Sequence, residues 1–131
     1  MNMLERVYDY LVSGDIIETT PPNGWGYQQY IWNDNGVGSD KFIVLQPNGG
    51  TQIRDDLGSD YYFSLYVIGN QGNGDIQDVA DKVDEIIDYI KNHPLDSCLG
   101  YIQMQGPTPR PILTAEKRVV FELMLRVVWG E

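Results

Sequence analysis

From Arg118 to Trp129 the chain keeps a period of two. Val119, Phe121, Leu123, Leu125, Val127 and Trp129 alternate with Arg118, Val120, Glu122, Met124, Arg126 and Val128. Successive side chains of a strand point to opposite faces, so a run this long predicts one strand with a fully buried face. Such a face needs an apolar layer laid against it.

The segment best able to supply that layer precedes it. Ile76, Val79, Ala80, Val83, Ile86, Ile87 and Ile90 recur at the spacing of one stripe of an α-helix, while Asp78, Asp81, Lys82, Asp84, Glu85, Asp88 and Lys91 occupy the other face. Asp75 is placed to cap its N-terminus, and His93-Pro94 closes it. At about 1.5 Å per residue the helix is roughly 25 Å long. Burying its six large aliphatic side chains contributes on the order of 10 kcal/mol before entropy is charged.

The other elements are shorter. Met3, Val7, Tyr10 and Leu11 form one stripe of a helix that ends at Ser13-Gly14. Trp25 to Trp32 favours an extended strand, with Trp25, Tyr27 and Ile31 on one face and Tyr30 and Trp32 on the other. Asn33 to Gly36 supplies a turn. Phe42 to Leu45 is apolar on both faces, which predicts a central strand. A Gly/Asp-rich connection from Pro47 to Asp60 leads to a third strand, in which Tyr61, Phe63, Leu65 and Val67 point one way. Gly69 to Gly74 reads as a loop. After the long helix, Cys98 to Gln105 alternates weakly as a strand, and Gly106 to Pro111 is a proline-rich loop. The order is α-β-β-β-α-β-β. The expected fold is α+β, a mainly antiparallel sheet of about five strands with two helices packed on one face, in a single domain spanning residues 1–131.

Composition narrows function more by exclusion. Hydrophobic residues make up 42% of the chain and charged ones 21%, the balance of a globular protein. Lys and Arg number 9 against 19 Asp and Glu, a formal net charge of -10. Such a surface repels phosphate backbones and anionic lipid, so neither sequence-specific nucleic-acid binding nor a membrane partner is expected. No apolar run approaches the roughly 18 residues of a membrane span. The start lacks a basic region followed by an apolar run, so no secretion signal is expected. The lone Cys98 closes no intrachain disulfide and fits a reducing cytoplasm.

No catalytic, cofactor-binding or metal-binding residues emerge. His93 lies at a helix end without a partner at readable spacing, and Cys98 lacks a second histidine. Carboxylates such as Asp34, Asp40, Asp55 and Asp56 do not follow the alternate-position pattern of a calcium loop. Gly69 to Gly74 has the order G-x-x-G-x-G, the reverse of the dinucleotide pattern, and Asp75 would face any phosphate with a negative charge. Tyr61, Tyr62, Phe63 and Tyr66 lack the Lys and Arg that accompany base-stacking platforms. What a small core leaves over is aromatic: Trp25, Tyr27, Tyr30 and Trp32 beside glycine- and asparagine-rich segments. Two long loops, Pro47 to Asp60 and Gly106 to Thr114, carry Arg54 and Arg110. Aromatics and Arg are enriched at protein interfaces, and long loops tend to be functional. These six residues are the candidate subunit or partner interface.

Size, element order and closing strand together resemble the tail terminator (tail completion) proteins of long-tailed bacteriophages, the family of the phage lambda U protein. The resemblance spans the whole chain and rests on the N-terminal helix, the meander, the acidic helix Asp75–Asn92 and the strand Arg118–Trp129. The run Leu45-Gln-Pro-Asn-Gly-Gly-Thr51 followed by Asp60-Tyr-Tyr-Phe is also similar to small phage neck and tail proteins. The resemblance implies a virion tail protein without enzymatic activity, made in the host bacterial cytoplasm. It implies a ring, hexameric in expectation, that caps the tail tube, with the tail tube protein and a head-completion protein as partners and DNA passing through. A neck or head-closure protein is the alternative within phage biology. A small enzyme or ligand-binding protein is the alternative outside it, and would need a pocket with convergent polar groups.

Overall fold

A computed structural model describes residues 3–14, 16, 25–31, 41–47, 59–71, 76–96, 100–105, 111–113 and 118–129. The elements are α1 (Met3–Ser13), β1 (Trp25–Gln29), β2 (Lys41–Pro47), β3 (Ser59–Gln71), α2 (Ile76–Asn92), β4 (Leu95–Asp96), β5 (Gly100–Gln105), β6 (Pro111–Leu113) and β7 (Arg118–Trp129). This is the expected α+β order with two short strands added.

One sheet runs β1-β2-β3-β7-β5-β4, and β6 also pairs with β7. Every pairing is antiparallel except β1 with β2, which is parallel. The period-two strand β7 occupies the middle, flanked by β3 on one side and by β5 and β6 on the other. Its inward set, Val119, Phe121, Leu123, Leu125 and Val127, is buried throughout and joins Phe63, Leu65 and Val67 of β3 in one core.

Both helices contribute to that core. α2 lies over β3, β5 and β7, and α1 over β2. The buried stripe of α2 is Val79, Val83, Ile86 and Ile90, with Ile87 partly buried beside it. Ile76, the first residue of the helix, is exposed, so the stripe starts one turn later than its spacing predicts. Lys82 departs from the expected outward face. Its stem is buried while its ammonium reaches Glu85 at 3.1 Å, the snorkelling that a long aliphatic stem permits.

The two helices are locked at one end. Ile16 N–H donates to the Leu11 carbonyl at 3.0 Å, a six-to-one bond that ends α1 in the manner of a Schellman motif, with both side chains buried. Gly14 lies against the Tyr89 ring so closely that a Cβ there would overlap it. Tyr10 packs its ring at a tilt against that of Tyr89, 5.1 Å between centres, and donates its hydroxyl to the His93 carbonyl at 2.6 Å. Tyr89 in turn stacks on the His93 ring at 4.3 Å.

Three features differ from expectation. The meander becomes a parallel β1–β2 pair. Gly69, Asn70 and Gln71 extend β3 past a register irregularity instead of forming a loop. Part of the proline-rich segment pairs with β7 as β6. The Asn33–Gly36 turn, the Asp75 cap and Cys98 lie outside the described residues.

Candidate subunit interface

The sheet face opposite the helices is mixed. Near β2 it is apolar: Phe42, Val44 and Ile68 are buried, with Tyr66 and Val120 against them. Arg118, where β7 begins, is fully buried there, donating to the Gly69 carbonyl at 3.0 Å with its guanidinium 5.4 Å from the Phe42 ring centre. Sequence alternation placed Arg118 on the outer face but gave no sign that it is buried. In the middle of the face, Ser64 and Tyr66 each donate a hydroxyl to the Glu122 carboxylate at 3.1 Å. Burial, and then the hydrogen bond and charge of Glu122, raise the Tyr66 phenol above its ordinary value. The three groups satisfy one another, a structural arrangement rather than one aimed at a substrate.

The two margins of the sheet are different in kind from its middle. At the β1 margin Tyr27 turns inward, its ring 4.7 Å from that of Tyr8 on α1. Burial pushes its phenol up to about 12, against the opposing pull of Gln29, which favours the ionised form. Beyond Gln29 the chain leaves the strand. Ile31 N–H donates to the Gln29 carbonyl at 2.8 Å around Tyr30, whose φ is 69°. That bond and that sign of φ are those of the normal γ-turn, the rarer and strained form. It thrusts Tyr30 and Ile31 outward, 51% and 71% exposed. The expected alternation through Trp32 therefore stops at Gln29, because the turn rotates the following residues off the pleat.

At the other margin, Leu95 of β4 and Ile112 of β6 are 75% and 57% exposed, and Tyr101 of β5 is exposed beside Leu95, its register partner. A shallow groove of about 270 Å³ separates the end of α2 from β5, with Ile90, Pro94, Tyr101 and Met104 among its lining.

Of the sequence candidates, Tyr27 and Tyr30 both belong to the β1 margin, the first turned inward and the second outward, and Trp25 lies on β1, its side chain outside the described residues. Trp32, Arg54 and Arg110 also lie outside them. Ile31, Leu95, Tyr101 and Ile112 were not singled out as interface candidates. Ile31 follows the end of β1, and Leu95, Tyr101 and Ile112 lie in short strands, too brief to carry a periodicity that would mark them.

Among the described residues no cluster of three His, Cys, Asp or Glu side chains is arranged to hold a metal ion. No described helix is long and apolar enough to cross a membrane. His93 is occupied by stacking on Tyr89 and by a 3.0 Å contact from Nδ1 to the Tyr89 carbonyl.

Comparison with known proteins bears on what these margins serve. No curated protein sequence matches the chain. A solved structure superposes on 98% of this chain and 95% of its own with a TM-score of 0.53 at 14% identity, a likeness of fold alone. The family profile described as Phage tail termination protein matches residues 1–131, the full length expected from the acidic helix, the closing strand and their order, and the chain belongs to that family of phage tail structural proteins.

Proposed function

We propose that the chain is the tail terminator subunit of a long-tailed phage. It closes into a ring with copies of itself, caps the tail tube and presents a docking face to a head-completion protein. The family match over residues 1–131 carries this reading.

The geometry is compatible with it in a specific way. A ring is built by a head-to-tail contact between two different patches on one subunit. Besides Met124 on β7 and Ile76 on α2, exposed apolar side chains lie at the two opposite margins of the sheet, Tyr30 and Ile31 at one and Leu95, Tyr101 and Ile112 at the other. The outward face of α2, with Asp78, Asp81, Asp84, Glu85 and Asp88 exposed, together with the net charge of -10, gives a passage that repels DNA and lets it move.

The test is assembly. Sedimentation and negative-stain microscopy of the purified protein are expected to show a concentration-dependent closed ring, and Ile31→Asp to prevent it without lowering the melting temperature by more than a few degrees. A strict monomer at high concentration, with tail tube present, would overturn the proposal. Phage lacking the gene are expected to make overlong tails; normal tails unattached to heads would instead assign a connector role.

A further inference from the structure

Two successive carbonyls beyond the end of α2 are taken by different parts of the molecule. Tyr10 of α1 donates its hydroxyl to the His93 carbonyl at 2.6 Å, and Ile102 N–H of β5 donates to the Pro94 carbonyl at 2.8 Å. Leu95 follows directly, and its register partner is Tyr101. Both of those side chains are exposed. The corner at His93–Pro94 therefore stands between the first helix and the apolar margin formed by β4 and β5.

The link between the two carbonyls is stiff. A proline ring fixes φ, and the residue before it is held away from helical conformations. His93 and Pro94 thus have few torsions that can absorb a displacement, and a movement of one carbonyl is passed to the other. The α1 side of the link is committed as well. Tyr10 is buried with its ring against Tyr89, and a buried hydroxyl separated from its acceptor is penalised. Gly14 at the end of α1 and the His93 ring both press on Tyr89. Coupling between distant elements is carried by packed side chains and hydrogen bonds of this kind.

We propose that His93–Pro94 is a rigid bracket through which α1 sets the position of the β4–β5 margin, with Tyr10 as its positioning residue. A displacement of α1 then displaces Leu95 and Tyr101. The bracket thus sets how that margin is presented to a neighbouring copy. This last consequence rests on the assembly reading, whereas the bracket itself does not, so the first test uses the isolated subunit.

Tyr10→Phe removes the hydroxyl and keeps the ring. Hydrogen exchange by NMR is expected to show the Ile102 amide accelerating about tenfold more than the Leu123 amide, with a shallow denaturant dependence. A hydroxyl that only added general stability would accelerate both equally, or Leu123 alone. With Pro94→Ala added, the excess at Ile102 is expected to shrink below about threefold, because the corner can then bend. An Ile102-to-Leu123 ratio that Tyr10→Phe leaves unchanged would overturn the bracket. So would an excess that Pro94→Ala leaves whole. Sedimentation gives the second readout. Tyr10 is too buried to touch a neighbour, yet Tyr10→Phe is expected to weaken self-association about tenfold in Kd. Unchanged association would overturn the link from bracket to assembly. A wild-type subunit that never associates would sink the assembly reading, and the exchange ratio would still decide the bracket.

Discussion

β7 and β1 are both strands of one sheet, yet they are held by opposite means. β7 is paired on both sides, its inward residues are buried from Val119 to Val127, and its outward Glu122 receives two hydroxyl hydrogen bonds. β1 is paired on one side among the described residues, buries the Tyr27 phenol and runs into a strained turn with two exposed apolar side chains. A central strand is stabilised by removal of apolar area from water, and little of it can change without loss. An edge strand carries less of that stabilisation, which leaves it free to hold strain and to expose contact surface. Stability and interaction are thus separated within one sheet.

The sharpest way to break this contrast is to hollow out the centre. Leu123→Ala is expected to cost about 3 kcal/mol and lower the melting temperature by on the order of 10 °C, measured by circular dichroism. A loss under ~1 kcal/mol would mean that β7 is not the core strand.

Next in size is the helix lock. Gly14→Val drives two methyl groups toward a Tyr89 ring already stacked on His93 and packed at a tilt against Tyr10. A destabilisation of about 1–3 kcal/mol in urea melts is expected. Unchanged stability would show that Tyr89 moves freely, and that the two helices are not held there.

Alkaline pH probes the edge. The folded state keeps the Tyr27 proton to about 12, whereas the unfolded chain gives it up near 10.0. Its contribution is full below that lower value and is lost as pH rises through the higher one. Stability is expected to fall across that window, and Tyr27→Phe to remove part of the fall. Tyr66, whose phenol is also raised, accounts for another part. An identical fall in the variant would mean that Tyr27 is not desolvated.

Smallest of all, Ile31→Ala is expected to change subunit stability by less than about 0.5 kcal/mol, because its side chain is already in water. Together with the Leu123 result it marks the two ends of the scale.

Legibility in the sequence followed the same division. The alternation of β7 and the stripe of α2 announced themselves because each buries a continuous face, and burial imposes a period. Lys82 escaped, since a charged residue beside an apolar stripe reads as solvated whether or not its stem is covered. The parallel pairing of β1 and the strand at Pro111–Leu113 escaped as well. Nothing within a five-residue or three-residue segment records which neighbour it bonds to, or in which direction. Tyr27 and Tyr30 were marked as candidates by residue type alone. That one turns inward against Tyr8 while the other turns out depends on a turn whose φ the sequence does not signal.

The sequence by itself therefore determined the α+β class, the two layers, the identity of the core faces and the acidic exterior. These follow from apolar periodicity and charge, which are local properties of the chain. Only the tertiary structure decided the strand order, the burial of Arg118 and Lys82, the Gly14–Tyr89 approach and the placing of exposed apolar residues at opposite margins. Those depend on hydrogen bonds and contacts between segments far apart in the chain, whose energies no stretch of sequence contains alone.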